Sequence, residues 1–191
     1  LDKKYRALLD TVYIGTDHNI QNDYSEELKS LCEDNDLGFR ITNRASNINS
    51  RFIIAIGWRW LIEEIPGKTE ALIVFHDSIL PKYRGFNPLV SYLINGEKEI
   101  GVTALKAVKE FDAGPIIEQK ITKIKYPIKI AEAIYLLSEE YGSLLNAVLN
   151  KIAKGELKGV KQNQADATYS LWRDEEDYNI NWNRSASEIK R

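Results

Sequence analysis

The sequence predicts an α/β domain built on a largely parallel sheet. Short, almost continuously apolar runs such as Phe52–Gly57 (FIIAIG) and Ala71–Phe75 (ALIVF) read as strands covered on both faces. Between and after them lie stretches with helical spacing, and the alternation of the two is the pattern of an α/β layer structure.

In chain order, Leu1–Asp10 reads as the end of a helix with Tyr5, Leu8 and Leu9 on one side. An α/β domain usually begins with a strand, so an N-terminal strand preceding this stretch is expected. Thr11–Thr16 reads as a buried strand, and Asp23-Tyr24-Ser25-Glu26 has capping-box spacing ahead of Leu28, Leu31 and Cys32. A short helix is expected from Pro88, where a missing N–H costs nothing, to a stop at Gly96. Ile100–Leu105 and Ile116–Ile121 read as strands joined by a loop containing Asp112-Ala113-Gly114-Pro115. The clearest helix follows: Ile130, Ile134, Leu137, Tyr141, Leu144, Leu145, Val148 and Ile152 recur every three or four residues, and Gly155 ends it. The expected organisation is a core over 1–165 and a polar, aromatic tail over 166–191 that packs on it.

The bulk properties narrow the function classes. With 191 residues, 43% hydrophobic and 28% charged, the chain has the make-up of one globular domain. No apolar run approaches the ~20 residues that span a bilayer, so no membrane partner is expected. The net charge of −2 lacks the basic excess typical of phosphate-gripping proteins, which disfavours nucleic acid. The one cysteine, Cys32, reads as a small core hydrophobe in a reducing compartment, and a cytoplasmic location is expected.

Two histidines are present. His18 lies in a turn-like stretch and reads as a surface residue. His76 closes the strand Ala71–Phe75, and the carboxyl ends of strands in open α/β sheets are where ligands bind. Asp112 follows in a predicted inter-strand loop. A carboxylate beside an imidazole favours the proton-donating form and fixes the ring orientation; spacing alone leaves open whether the two meet.

The stretch His76-Asp77-Ser78-Ile79-Leu80-Pro81-Lys82-Tyr83-Arg84-Gly85 resembles the His-x-Ser-Leu-Leu-Pro-x-x-x-Gly signature of the 10-formyltetrahydrofolate-dependent formyltransferases. Asn95-Gly96-Glu97, Gly101-Val102-Thr103 and Phe111-Asp112-Ala113-Gly114-Pro115-Ile116-Ile117 resemble further blocks of that family, in order. The resemblance implies a Rossmann-like domain, a mostly parallel central sheet flanked by helices, that moves a formyl group from N10-formyltetrahydrofolate to a primary amine. It implies His76 and Asp112 as the catalytic residues and no metal. As the amine attacks, negative charge grows on the formyl oxygen; protonated His76 would donate to that oxygen or to the leaving nitrogen, and Asp112 would hold His76 charged and accept the amine proton.

One position departs from the pattern. The family commonly reads Asn-x-His, and here the first position is Val74. Loss of one oxyanion donor costs roughly 3–4 kcal/mol in a typical hydrolase, so another donor, such as a backbone N–H, is expected to replace it. The resemblance places folate against Trp58–Ile62, with Trp60, Leu61 and Ile62 as contacts, and against the loop 107–111, with Val108 and Phe111; core packing is the alternative role of the tryptophans. The tail, with Tyr169, Trp172, Arg173 and Trp182, resembles that of nucleotide-sugar N-formyltransferases. A nucleotide-linked amino sugar is therefore the expected acceptor, as in surface-polysaccharide synthesis, with Tyr83, Arg84, Trp172 and Arg173 as its contacts. The alternatives are a catalytic fragment of a methionyl-tRNA formyltransferase and a non-catalytic homologue that binds folate or a nucleotide sugar. Relatives often pair through segments beyond the catalytic domain, which leaves a homodimer open.

Overall fold

The computed structural model describes residues 3–46, 48–62 and 67–190. They form two compact units, Leu1–Leu72 and Ile73–Arg191. The α/β class expected from the sequence is the one observed.

In the first unit, residues Lys3–Leu8 form a 3-10 turn. Strand β1 (Thr11–Ile14) is followed by helix α1 (Ser25–Asp34) and strand β2 (Gly38–Ile41), and β2 lies parallel to β1 with Thr11 opposite Gly38. β1 and α1 are the strand and helix that the apolar run and the following helical period predict, whereas β2 was not expected from the sequence. The expected capping box does not form. Tyr24, in the left-handed region, caps α1, and the Asp23 carboxylate accepts the backbone N–H groups of Asp17 and Ser25 instead. The Ser25 hydroxyl, followed by those two backbone bonds, lowers the Asp23 pKa to about 2. Cys32 is buried, and that burial pushes its thiol pKa up. Strand β3 (Phe52–Ala55) completes the unit's strands up to the start of β4 (Ala71–His76).

The second unit is built around β4, β6 (Glu99–Lys106) and β7 (Ile116–Lys123). Between β4 and β6 lie the short strand β5 (Arg84–Gly85) and helix α2 (Pro88–Ile94), which starts on proline and ends before Gly96 as the sequence predicts. Strand β6 is antiparallel to β4, with His76 opposite Thr103, and antiparallel to β7, with Thr103 opposite Gln119. Strand direction here differs from the largely parallel arrangement expected. The β6–β7 connection runs only over residues 107–115, and a parallel crossover needs about a dozen residues or more. Two of the described ladders are parallel, β1–β2 and β5–β8, where β8 is Tyr169–Ser170 in the tail.

Helix α3 (Ile130–Lys154) packs on β6 and β7 and buries Ala133, Leu137, Leu144, Val148 and Leu149. Ile130 and Ile134, part of the predicted stripe, are exposed, so the buried face starts at Ala133. The Glu132 carboxylate accepts the Lys129 N–H at the first turn, and Gly155 takes the left-handed cap that ends the helix. Tyr83, Leu89, Tyr92, Leu93, Ile100 and Leu137 form a core cluster directly behind the loop that follows His76. The remaining described elements are two 3-10 turns, Gln164–Asp166 and Glu176–Tyr178, and α4 (Ala186–Ile189), with Ser185 as its side-chain cap.

Candidate active site

Strand period sets the site. On β4, Ile73 and Phe75 point into the core and are buried, so Val74 and His76 share the other face. His76, Thr103 and Gln119 are register partners across β4, β6 and β7 and lie in one row. Thr103 is fully buried and its hydroxyl is saturated: it donates to the Ser78 carbonyl at 2.6 Å and accepts from the Leu80 N–H at 3.2 Å and from Gln119 Nε2 at 2.7 Å. Gln119 Nε2 also donates to the Leu80 carbonyl. The Tyr92 hydroxyl accepts from the Ile79 N–H, and Tyr141 of α3 donates to Asp77. Burial, then the Asp77 charge, pushes the Tyr141 phenol pKa up. The loop that leaves His76 is thus tied at four successive residues, 77–80: Ser78 and Leu80 to the sheet, and Asp77 and Ile79 to helices α3 and α2.

The structure brings His76 and Asp112 together. Nδ1 of His76 lies 3.6 Å from Asp112 Oδ1, with side-chain exposures of 10% and 16%. His76 Nε2 lies 2.9 Å from the Tyr83 carbonyl oxygen; a carbonyl only accepts, so Nε2 carries a hydrogen. Nδ1 is beyond hydrogen-bond distance of the carboxylate and is the nitrogen left to engage a substrate atom.

Asp112 adopts a left-handed backbone (φ 54), a conformation that costs an L-residue roughly 1–2 kcal/mol. Its surroundings hold it there. Its Oδ2 accepts the Gly85 N–H at 2.9 Å. Gln162 Nε2 donates to the Asp112 and Gly114 carbonyls, each at 2.7 Å. Gly114 lies against the Lys106 carbonyl, where a Cβ would sit 1.8 Å from that oxygen. Gly85 is required for two reasons: its φ is 98, and a Cβ would meet the Ser170 carbonyl at 2.6 Å.

Other predicted residues fall differently. Tyr83 is buried in the core; its hydroxyl donates to Glu97 at 2.9 Å and accepts from Asn95 at 3.0 Å, which gives the Asn95-Gly96-Glu97 block its local task. Burial pushes the Tyr83 phenol pKa up. Arg84 is only 2% exposed, and its guanidinium donates to Gln162 Oε1 and Gln164 Oε1. Neither side chain is presented to solvent for a ligand. Trp172 is exposed and meets exposed Phe86 edge-on at 5.4 Å between ring centres. Arg173 has a buried Nε without a hydrogen-bond partner. In the first unit, the Trp60 ring lies against Gly15 and meets Trp58 edge-on at 5.1 Å, so packing accounts for much of its surface. Trp58 Nε1 is a buried donor with no partner. Leu61 is exposed and Ile62 half-buried; in the second unit, Val108 and Phe111 are exposed. His18 is exposed. Among the described residues no group of three His, Cys, Asp or Glu is placed to hold a metal ion, and no helix is long and apolar enough to cross a membrane.

Gln162, Thr103 and Gln119 carry this site and were not singled out by sequence reasoning. Thr103 lay inside a quoted block, and a polar residue amid the apolar run Ile100–Leu105 was the available signal. Gln162 and Gln119 offered none, since a glutamine in a polar segment is ordinary.

His76, at the carboxyl end of β4 with Asp112 beside it, lies where ligands bind in open α/β sheets, and the pair has the groups for acid–base chemistry. The formyl transferase family model matches residues 41–159, more than half of the chain, and the chain belongs to that family. It is 37% identical over 129 residues to the methionyl-tRNA formyltransferase of Lactococcus lactis subsp. cremoris (strain MG1363), covering 65% of this chain and 40% of that protein. The chain therefore spans less than half the length of that relative. Among solved structures it is similar to a methionyl-tRNA formyltransferase from Clostridium thermocellum (TM-score 0.68, 19% identity, 95% of this chain and 80% of that one). It is also similar to an N-formyltransferase from Helicobacter canadensis, solved with folinic acid and dTDP-3-aminofucose (TM-score 0.69, 21% identity, 92% of this chain and 65% of that one). At these identities the structural likeness concerns the fold, which is the Rossmann-like formyltransferase domain.

Proposed function

We propose that this chain carries the catalytic centre of an enzyme that transfers the formyl group of N10-formyltetrahydrofolate to the primary amine of a nucleotide-linked amino sugar. The observation that carries the reading is the His76–Asp112 pair at the end of β4, in a chain of the formyl transferase family. With a proton on both ring nitrogens, His76 donates from Nδ1 to the formyl oxygen as the amine attacks, while Nε2–H stays anchored on the Tyr83 carbonyl and fixes the ring plane. Asp112 lies next to that nitrogen and takes the proton released by the attacking amine, and that proton passes to the folate N10 as its bond to the formyl carbon breaks. Val74 sits two residues before His76 on the same face and offers no polar side-chain atom, so a second oxyanion donor has to come from another group, such as a backbone N–H.

In the second unit, the exposed Val108 and Phe111 offer apolar surface of the kind that a flat donor packs against. When bound, the folate supplies the formyl carbon. For the acceptor, the exposed Phe86–Trp172 pair adjoins Gly85, the residue that holds Asp112. An aromatic pair with free faces beside the reacting groups suits a nucleobase or a sugar ring. A second reading, formylation of methionyl-tRNA, is favoured by the 37% identity to the Lactococcus lactis protein.

The test is tetrahydrofolate release with amino-sugar nucleotides linked to dTDP or UDP, set beside aminoacylated initiator tRNA. Turnover with the sugars and not with the tRNA is the expected result, and the reverse establishes the second reading. His76→Ala is expected to abolish turnover while folate affinity stays within a few-fold. A variant with near-normal rates removes His76 from the mechanism, and ligand binding without turnover in the unmodified chain marks a non-catalytic homologue.

A further inference from the structure

We propose that Gln162, clamped by Arg84, is the positioning residue that sets the geometry of Asp112; the inference deepens the functional reading above and rests on it. Gln162 is 5% exposed and all four of its hydrogen-bonding positions are used. Its Oε1 accepts from Arg84 Nε at 3.2 Å and from Nη2 at 2.6 Å. Its Nε2 donates one hydrogen to the Asp112 carbonyl and the other to the Gly114 carbonyl. The orientation of the amide is unambiguous, because a flipped group would set its NH2 against a guanidinium and its oxygen against two carbonyls.

Arg84 makes this more than a structural amide. A buried guanidinium normally faces a carboxylate, since burial of an unpaired charge is costly. Here no carboxylate among the described residues lies within ion-pair distance, and the named partners are the amide oxygens of Gln162 and Gln164. A cation on the amide oxygen draws electrons from the amide nitrogen and strengthens the two bonds that Nε2 donates. Those bonds straddle the residue after Asp112 and hold Asp112 at its positive φ. The same segment aims Asp112 through its side chain: Gly85, next to Arg84 in β5, gives its N–H to Oδ2. Residues 84–85 thus control Asp112 from both its backbone and its carboxylate. Gln162 has no hydrogen bond to either reacting side chain; it acts through the Asp112 backbone.

The variant Gln162→Glu keeps an acceptor for Arg84 and removes both donated bonds. We expect kcat to fall about 10- to 100-fold, the scale of a displacement of ~1 Å at a catalytic group, with KM for the folate within threefold. In an Asp112→Asn background the same change is expected to cost less than threefold further, because the group it positions is already disabled. Equal losses in both backgrounds, or a loss confined to KM, overturn the proposal, as does a kcat within twofold of the unmodified chain. If Gln162→Glu does not fold, the paired variant Arg84→Met with Gln162→Met replaces the whole polar pair by apolar groups of similar volume and is judged by the same kcat criterion.

A readout independent of turnover separates this claim from the functional one. Amide hydrogen exchange at Gly85 reports the bond to Asp112. Protection there is expected to drop at least tenfold in either variant while the exchange of β6 amides is unchanged. Should the unmodified chain transfer no formyl group to any acceptor, the functional reading falls, and Gly85 exchange alone decides the positioning claim. Unchanged Gly85 protection refutes it.

Discussion

Replacement of Thr103 by valine probes the strut beneath His76 with almost no change of shape. The hydroxyl of this fully buried residue serves three groups: the Ser78 carbonyl, the Leu80 N–H and Gln119 Nε2. Gln119 retains the Leu80 carbonyl at 3.0 Å, so valine orphans two backbone groups, at Ser78 and Leu80, both in buried residues. An unsatisfied buried group costs about 1–3 kcal/mol, which makes the expected loss about 2–6 kcal/mol. For a chain of this size each kcal/mol moves Tm by about 2–4 °C, so a loss of ~3 kcal/mol lowers Tm by about 6–12 °C. Thr103→Ser keeps the hydroxyl and sheds one methyl group, at about 1 kcal/mol. Thermal and urea unfolding of both variants, followed by circular dichroism, supply the comparison. If Thr103→Val unfolds within ~1 kcal/mol of Thr103→Ser, the hydroxyl does not hold the loop and the argument is wrong.

Two further outcomes follow from the same geometry. Gly114→Ala would place a Cβ 1.8 Å from the Lys106 carbonyl, so the loop has to move by about 1 Å or more to reach an ordinary contact; a destabilisation of about 1–3 kcal/mol and a rate loss near 100-fold are expected, and a stable, fully active variant contradicts this. Asp23 has a folded pKa of about 2, below the ordinary ~3.9; its contribution is therefore present above pH ~4 and lost as pH falls through about 2, so Asp23→Asn is expected to flatten the acid side of the unfolding profile between pH 4 and 2, and parallel profiles for the two chains exclude it.

Much of the fold was legible because it is written in local periods. The apolar run ending at His76, the proline start of α2 and the stripe of α3 each came from spacing within one segment. Where the reading slipped, a contact from elsewhere had decided. The Asp23 carboxylate took the Asp17 N–H in preference to a capping box. The stripe of α3 shifted to Ala133 because the surfaces of β6 and β7 select the buried face. Tyr83 and Arg84, exposed in character, were drawn inside by Glu97 and Gln162.

The order of residues along the chain determined by itself the α/β class, the family and the two residues of the candidate centre, since apolar period and short blocks of side chains are properties of contiguous sequence. Only the tertiary structure decided strand direction, the partners of the buried arginine and the approach of His76 to within 3.6 Å of Asp112. Pairings across tens of residues depend on which backbone carbonyls and side-chain amides reach one another once the strands are in register, and that geometry leaves no trace in local spacing.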